Sequence, residues 1–344
     1  MTDTPQHKST RGVARRDYCC PVCQGWLRGS ADAYQCQRCE KDYPILFGIP
    51  DFRLWPDPYL SIRDERQKAA HLFDFGRSHS FQDLLREYYR ITDDVPDSMA
   101  ERFIDYVNSG PDRGRLILDA LALSGPSVIA DFGCATGGLI IAAARQGHDV
   151  VGVDIALRWL VICAKQLEEE GIEAELVCAD VDALPFGAGR FEAAVAADLM
   201  EHVDNQPDAA RAIGFVLCDD ARLYLSGANR FTLAPYPLAG LWGVGFLPAW
   251  LRERYVTARR GIDTLRHANI YSPFRARRIL RQTGWSIETL APLNVGRPDG
   301  GGSVFRTTAI KAYRRLRNWP ITRQIVLAVG PAFELVARKP RIDS

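Results

Sequence analysis

The sequence predicts an α/β domain with a mostly parallel sheet of seven strands, preceded by a small cysteine-rich module. From residue 127 onward, short apolar runs rich in β-branched residues alternate with segments whose apolar residues have helical spacing. Each of the first four runs ends in or near an aspartate, and two CxxC pairs lie within the first 40 residues. The predicted strands are Ser127–Phe132, His148–Val153, Glu173–Cys178, Phe191–Ala197, Arg222–Ala228, Trp285–Leu290 and Phe333–Arg338.

Length and composition are those of a soluble globular protein with one large domain or two modest ones. The chain has 344 residues, of which 47% are hydrophobic and 25% charged, and this excludes wholesale disorder and collagen-like order. The net charge of +1 argues against a strongly cationic nucleic-acid binder. This average hides an asymmetry, because Arg252 to Ser344 contains 19 basic and 6 acidic residues. We therefore expect the C-terminal part to face an anionic partner or the protein's own acidic part.

The N-terminal 17 residues are polar and have no apolar signal-peptide core, which predicts a reducing, cytoplasmic location. Phe231–Leu251 is uncharged and long enough to span a bilayer, but it contains three prolines. We expect it to be a lid or a membrane-surface loop, with peripheral contact at the inner membrane surface through residues 230–260. The expected parts are a flexible N-terminus (1–17), a zinc ribbon (18–53), a helical connector (54–124) and a catalytic domain (125–344) with an acceptor lid (230–271).

Helical spacing of apolar residues predicts helices in the connector and in the catalytic domain. Pro56, Pro58 and Pro96 punctuate the connector, whose helices we expect to pack at the entrance of the catalytic domain. The predicted helices are Ile62–Leu72, Phe81–Tyr89, Met99–Tyr106, Leu139–Arg145, Ala156–Glu170 and Ser272–Gly284.

The two CxxC pairs predict a structural zinc site. Cys20 and Cys23 are separated by twelve residues from Cys36 and Cys39, a spacing that can bring four thiolates into a tetrahedral shell. All four positions are cysteine, so none is open to water or substrate. A ribbon that has lost its metal, or two redox-active pairs, are the alternatives. The adjacent Cys19 could replace Cys20 in the shell.

This module resembles the family of small zinc-ribbon proteins that are related to a methyltransferase activator. The likeness extends beyond the cysteines to Tyr43-Pro44-Ile45 and Gly48-Ile49-Pro50, which match the end of that family's sequence. The resemblance implies that a methyltransferase is the partner of the ribbon, and it raises the expectation of one in the following domain.

A glycine-rich turn follows the first predicted strand of the catalytic domain. The turn contains Gly133 and Gly137 and leads into a helix, as in the opening unit of a nucleotide-binding fold. Asp131 precedes the turn and would repel a phosphate, which argues against a dinucleotide dehydrogenase. An acid at this position suits a cationic ligand such as a sulfonium or an amino group. Asp154 ends the next strand and can accept hydrogen bonds from both hydroxyls of a ribose.

The turn, together with Asp154, Asp180 and the pair Glu201-His202, resembles the class I S-adenosylmethionine-dependent methyltransferases of type 11 over residues 100–340. The resemblance implies a Rossmann-like fold and binding of S-adenosyl-L-methionine. Family members more often have glycine at the position of Ala135, where alanine is tolerable if φ is negative. The implied cofactor residues are Asp131, Gly133, Ala135 and Gly137 for the methionine part, Asp154 and Ile155 for the ribose, Asp180 and Val181 for the adenine, and Asp198 and Leu199 at the pocket mouth.

His202 is the leading candidate for a general base, because it follows the fourth strand and so lies near the expected methyl group. The alternative is that Glu201-His202-Val203 only shapes the loop before the next helix. His267 and Tyr271, which lie at the end of the lid, are weaker candidates.

An apolar lid with a basic flank fits a small or lipid-like amphipathic acceptor, or docking at an anionic membrane. It is equally consistent with an ordinary subdomain core. The basic run Lys311–Arg317 is either a solvated helix face or a set of anion contacts. The alternative function is a 23S ribosomal RNA guanine methyltransferase that recognises RNA through its zinc module. A third is a non-catalytic adaptor.

Overall fold

The fold is taken from a computed structural model of the chain, which describes residues 18–92, 95, 97–261, 263–295 and 304–341. The N-terminal segment that we expect to be flexible, residues 1–17, lies outside the described residues. Within the described residues no helix is both long and apolar enough to cross a membrane.

The cysteine-rich module forms a small antiparallel sheet whose four strands lie in sequence order. The strands are β1 (Leu27–Gly29), β2 (Ala33–Cys36), β3 (Asp42–Leu46) and β4 (Ile49–Pro50). The first CxxC pair precedes β1, and the second begins at the last residue of β2. This places both pairs at the same end of the small sheet.

Four helices connect this module to the main sheet: α1 (Ile62–Gly76), α2 (Phe81–Arg90), α3 (Asp97–Asn108) and α4 (Gly110–Leu121). Ser61 caps α1, and Ser80 forms a capping box with Asp83 at the start of α2. The sequence did not predict α4, because Gly110 and Gly114 weaken its helical pattern. Close packing explains these glycines: a Cβ at Gly114 would lie 2.8 Å from the Cβ of Ala142.

The main sheet has seven strands in the order β10-β11-β9-β8-β5-β6-β7. Only β11 is antiparallel to its neighbours, so the predicted mostly parallel seven-stranded sheet is confirmed. The strands are β5 (Val128–Phe132), β6 (Asp149–Asp154), β7 (Glu175–Cys178), β8 (Phe191–Ala197), β9 (Leu217–Ala228), β10 (Ser286–Pro292) and β11 (Ala332–Arg338). Strand β9 begins earlier than predicted, since Asp219 and Asp220 interrupt the apolar pattern at its start.

Helices cover both faces of the sheet, as the alternation of its side chains requires. Ile129 and Val150 join the apolar cluster on one face, whereas Ala130 and Val151 join the cluster on the other. The helices beside the sheet are α5 (Gly138–Ala144), α6 (Leu157–Glu170), α7 (Gln206–Val216) and α9 (Pro273–Gln282).

Two further segments emerge at the carboxyl edge of the sheet. The first is the predicted lid, which contains a short 3₁₀ turn at Val244–Phe246 and helix α8 (Ala249–Arg260). It has a small apolar core of its own, including Tyr236, Val244 and Val256, which are buried. The second lies between β10 and β11 and forms the helical hairpin α10 (Val304–Asn318) and α11 (Pro320–Val329).

The cysteine-rich module packs against the outer edge of β7. The backbone N–H of Phe52 donates to the Cys178 carbonyl at 2.7 Å, and Asp51 forms a parallel bridge with Cys178. Tyr18 pairs with Phe186 in a further bridge, and its ring lies 4.9 Å from that of Phe52. The module therefore covers a sheet edge that would otherwise expose unpaired backbone groups.

Candidate active site

The structure brings the four predicted aspartates to one edge of the sheet. Asp131 and Asp154 lie in the last residues of β5 and β6, while Asp180 and Asp198 follow β7 and β8. These four strands are parallel, so their carboxyl ends meet at the same edge. Ligands of open α/β sheets bind in the crevice at this edge.

The glycine turn needs its glycines for both conformation and space. Gly133 and Gly137 have φ values of +76° and +85°. A Cβ at Gly133 would lie 3.2 Å from Leu199 Cδ1, and one at Gly137 would lie 2.6 Å from Cys163 Sγ. The turn is therefore shaped by close approach of the side chains beneath it and beside it.

Ala135 does not meet the condition of a negative φ under which alanine is well tolerated in this turn. Its φ is +45°, in the left-handed region that costs an alanine about 1 kcal/mol or more. Glycine would adopt this geometry of the turn without strain, whereas alanine adopts it at a steric cost. The Ala135 N–H donates to Asp154 Oδ2 at 2.9 Å, and this bond helps to fix the strained residue.

The carboxyl groups of Asp131 and Asp154 both have raised pKa values. Burial raises the pKa of Asp131 to about 8, and the charge of Asp154 adds to this. Burial also raises the pKa of Asp154 to about 6, although the N–H groups of Ala156 and Ala135 oppose the shift. A cationic ligand in this crevice would relieve the electrostatic cost of ionising both carboxyls.

The segment that leaves the cysteine-rich module reaches the predicted adenine and ribose positions. The Leu54 N–H donates to Asp180 Oδ2 at 2.7 Å, and burial raises the pKa of Asp180 to about 6. Arg53 is buried, and its Nη1 donates to the Ile155 carbonyl at 3.2 Å. Val181 is partly buried against the adjacent core. The sequence analysis missed this segment, since more than 100 residues separate it from its partners.

Two residues of the connector also reach this crevice, and neither was predicted as a site residue. The Tyr106 hydroxyl donates to Asp198 Oδ2 at 2.8 Å. The guanidinium carbon of Arg113, from α4, lies 3.3 Å from the centroid of the Tyr106 ring. The Nε and Nη1 atoms of Arg113 are buried and have no hydrogen-bond partner within the part of the chain that the structure describes. No local motif marks Arg113; only the folding of α4 against the glycine turn reveals it.

His202 lies at the mouth of the crevice, in a 3₁₀ turn at Met200–His202. Its side chain is exposed, and Asp198, Asp57 and His267 lie close enough to act on it electrostatically. Desolvation lowers its pKa, the charges of Asp198 and Asp57 oppose this, and His267 reinforces it. The net lowering favours neutral imidazole at physiological pH, the form that can accept a proton.

The lid returns to the sheet beside His202. The Asn269 N–H donates to the Glu201 carbonyl at 2.6 Å, and its side-chain amide donates to the Val203 carbonyl at 3.0 Å. His267 contacts the ring of Tyr59 edge-on, with 5.0 Å between centroids, so the lid meets the connector across the mouth. Tyr271 is buried instead, with its hydroxyl 3.4 Å from the Ser226 carbonyl, and does not reach the mouth.

Comparison with known proteins identifies the region that carries this edge. A family model described as a methyltransferase domain matches residues 129–219. These residues are a methyltransferase domain. The predicted assignment to the methyltransferases is thereby confirmed.

This chain is similar to known O-methyltransferases over part of their length. The ubiquinone biosynthesis O-methyltransferase of Chromobacterium violaceum is 25% identical over 171 residues, covering 49% of this chain and 68% of that protein. Its namesake from Xylella fastidiosa is 33% identical over 130 residues, covering 38% of this chain and 52% of that protein. The solved structure of geranyl diphosphate C-methyltransferase from Streptomyces coelicolor matches with a TM-score of 0.44 and 17% identity, covering 66% of this chain and 75% of that one.

The module attached to the methyltransferase domain brings its four predicted thiols together. The Sγ atoms of Cys20 and Cys39 are 3.6 Å apart, those of Cys23 and Cys36 are 3.5 Å apart, and all four lie within 4.8 Å of one another. Cys19 lies outside this group, and a Cβ at Gly187 of the methyltransferase domain would lie 3.9 Å from its Sγ. Four convergent thiols are a donor set that suits zinc.

Proposed function

We propose that this chain transfers the methyl group of S-adenosyl-L-methionine to a small or lipid-like amphipathic acceptor. One observation carries the proposal: the crevice contains both carboxyl groups and a guanidinium group that are available to a ligand. Asp131 and Asp154 have raised pKa values and suit a cation, while two buried nitrogens of Arg113 have no hydrogen-bond partner among the described residues. S-adenosyl-L-methionine has a sulfonium, an ammonium and a carboxylate, so it matches both signs.

Different residues of the crevice would bind different parts of S-adenosyl-L-methionine. Asp131, Ala135 and the glycine turn would hold the methionine part, and Arg113 would bind its carboxylate through charge-assisted hydrogen bonds. Each carboxylate oxygen of Asp154 accepts one backbone N–H, which leaves lone pairs for the ribose hydroxyls. Ile155 would lie beside the ribose.

The remaining predicted positions would complete the pocket around the base and at the mouth. Asp180 and Val181 would lie by the adenine, together with the segment that begins at Leu54. Asp198, held by Tyr106, and Leu199 would line the mouth. The bound cofactor supplies a methyl group activated by a sulfonium.

His202 would act on the acceptor as a general base. The relatives are named O-methyltransferases, which favours a hydroxyl acceptor over nitrogen or carbon. A hydroxyl loses its proton as the new bond to carbon forms, and the neutral imidazole of His202 can receive it. The apolar lid beside His202 supports an acceptor with an apolar body. The relatives give no support to the RNA alternative.

The four cysteines would hold a structural zinc ion, since their thiols converge and leave no ligand position for substrate. Its chemistry would be confined to stabilising the ribbon, which is too small to form a core of its own.

Calorimetry with S-adenosyl-L-methionine tests the cofactor assignment. We expect Asp154→Ala to abolish measurable binding and Arg113→Met to weaken it about 10- to 100-fold, the effect of losing hydrogen bonds to a charged group. Asp149→Ala, at the opposite end of β6, and Arg115→Met, exposed on α4, are matched controls that should bind normally. Unchanged binding in Asp154→Ala would refute the assignment. Labelled methyl transfer into fractionated cell extract then separates a lipid or small-molecule acceptor from RNA.

A further inference from the structure

The lid and the α10–α11 hairpin form one continuous rim at the carboxyl edge of the sheet. The lid follows β9, and the hairpin connects β10 to β11, which lies between β9 and β10 in the sheet. The Leu233 N–H donates to the Val329 carbonyl at 2.9 Å. The side-chain amide of Asn229 donates to the carbonyls of Ala328 and Gly330 at 2.9 and 3.1 Å. We call residues 231–260 and 304–329 the mouth rim.

The mouth rim exposes large apolar side chains from both of its parts. Trp242 and Trp250 of the lid are each 64% exposed, and Ile321 of α11 is 71% exposed. Ile325 lies one helical turn beyond Ile321 and is 60% exposed, so the two form an apolar stripe on α11. The other exposed apolar side chains of the rim are Phe231, Leu233, Phe246, Leu251, Leu316 and Trp319.

The same rim is strongly basic. Its sequence contains ten arginines and lysines and a single acid, Glu253. Those whose side chains are exposed in the structure are Arg254, Arg259, Lys311, Arg315 and Arg323. Exposed basic side chains and exposed tryptophan and aliphatic side chains therefore occur together in both parts of the mouth rim.

We propose that the mouth rim docks on an anionic lipid bilayer. Tryptophan rings favour the interfacial region of a bilayer, aliphatic side chains enter the acyl boundary, and arginines bind anionic headgroups. A second copy of this chain would fit poorly, because a symmetric contact would place two basic surfaces against each other. Docking would set the mouth beside His202 towards the membrane. Docking on a bilayer is a property additional to the proposed function, and it does not depend on methyl transfer.

Flotation of the full-length protein with phosphatidylcholine vesicles, with and without phosphatidylglycerol, tests the docking surface. We expect binding only to the anionic vesicles, and weaker binding as salt increases. The double variant Arg315→Glu/Arg323→Glu should reduce vesicle binding at least about tenfold, since each basic residue contributes about fivefold. The double variant Ile321→Glu/Ile325→Glu should also reduce vesicle binding at least about tenfold, because it removes apolar side chains that would enter the acyl boundary.

A matched control is Phe215→Glu, which changes a half-exposed side chain on α7 near the opposite edge of the sheet and should bind vesicles normally. Circular dichroism and calorimetry with S-adenosyl-L-methionine should give unchanged results in all variants, which separates failed docking from failed folding or failed cofactor binding. Equal binding to neutral vesicles, or no vesicle binding by the native chain, would overturn the proposal. So would concentration-dependent self-association that the rim variants abolish, because it would assign the rim to a second copy.

Discussion

The cofactor side and the mouth rim occupy the same edge of one sheet but follow opposite physical rules. The cofactor side, which comprises the glycine turn with Asp131, Asp154 and Asp180, is acidic and held by backbone hydrogen bonds, and Asp131 and Asp180 are buried. The mouth rim is basic, exposed and apolar. This difference in charge and burial is the reason why we propose a small cationic ligand for the first surface and a large anionic partner for the second.

Removing the proposed zinc ion should separate the two sides most strongly. Cys36→Ser should eliminate bound zinc and unfold the ribbon, for which such a site supplies on the order of 10 kcal/mol. Because Leu54 then loses its fixed position against Asp180, we expect S-adenosyl-L-methionine to bind at least about tenfold more weakly, while vesicle binding is retained. Elemental analysis, calorimetry and flotation measure the three outcomes.

Cys19→Ser is the matched control for this experiment, since Cys19 adjoins the four thiols without joining them. It should keep about one zinc per chain and bind the cofactor normally. A zinc-free Cys36→Ser protein that binds cofactor as tightly as the native chain would show that the ribbon is independent of the cofactor side.

The two sides should also differ in their response to pH. The pKa of Asp131 is about 8 in the folded protein and about 4 when unfolded, so the folded state binds the extra proton between these values. Stability without ligand therefore falls as pH rises from about 4 to about 8, and Asp131→Asn should raise the free energy of unfolding at pH 9 by a few kcal/mol. Thermal and urea unfolding measure this change.

Cofactor affinity should change with pH in the opposite sense. The carboxylate must be charged to pair with a cation, so native affinity should rise up to about pH 8, and Asp131→Asn should lose the part of this rise above about pH 6, where Asp154 is already ionised. Vesicle binding should stay constant between pH 6 and about 8.5, because arginine keeps its charge. A flat affinity profile for the native chain would contradict the role of Asp131.

The smallest effect concerns strain within the cofactor side. Ala135→Gly should increase the free energy of unfolding by about 1 kcal/mol or less, because glycine adopts a positive φ without steric cost but gains entropy when unfolded. Ala258→Gly, at an exposed position inside α8, should instead decrease the free energy of unfolding by about 1 kcal/mol. Urea unfolding compares them, and equal losses in both variants would show that Ala135 is unstrained.

The sequence predicted those parts of the fold and candidate site that depend on local pattern. The acids that end β5 and β6 and the glycines of the turn have fixed spacing along the chain, and so do the four cysteines. Arg113 and Leu54 could not be predicted in this way, because their relation to the crevice exists only after α4 and the ribbon have packed. The positive φ of Ala135 could not be predicted for a related reason, since the geometry of the turn overrides the conformational preference of the residue.

The mouth rim shows the same limit at a larger scale. The uncharged run of the lid and the basic run at Lys311–Arg317 were both visible in the sequence. Their union into one surface was not, because it depends on the position of β11 between β9 and β10. Charge and hydropathy patterns identify such segments, but sheet topology decides which of them become neighbours.

The ribbon and the sheet edge that it covers belong to one chain, and this has a consequence for how their association is maintained. A separate protein bound through the same few backbone hydrogen bonds would dissociate on dilution. A covalently linked one is present at an effective concentration of about millimolar, however dilute the protein becomes. Assembly of this pair therefore requires no matched expression of two genes, and its loss requires unfolding of the ribbon or cleavage of the chain near residue 54.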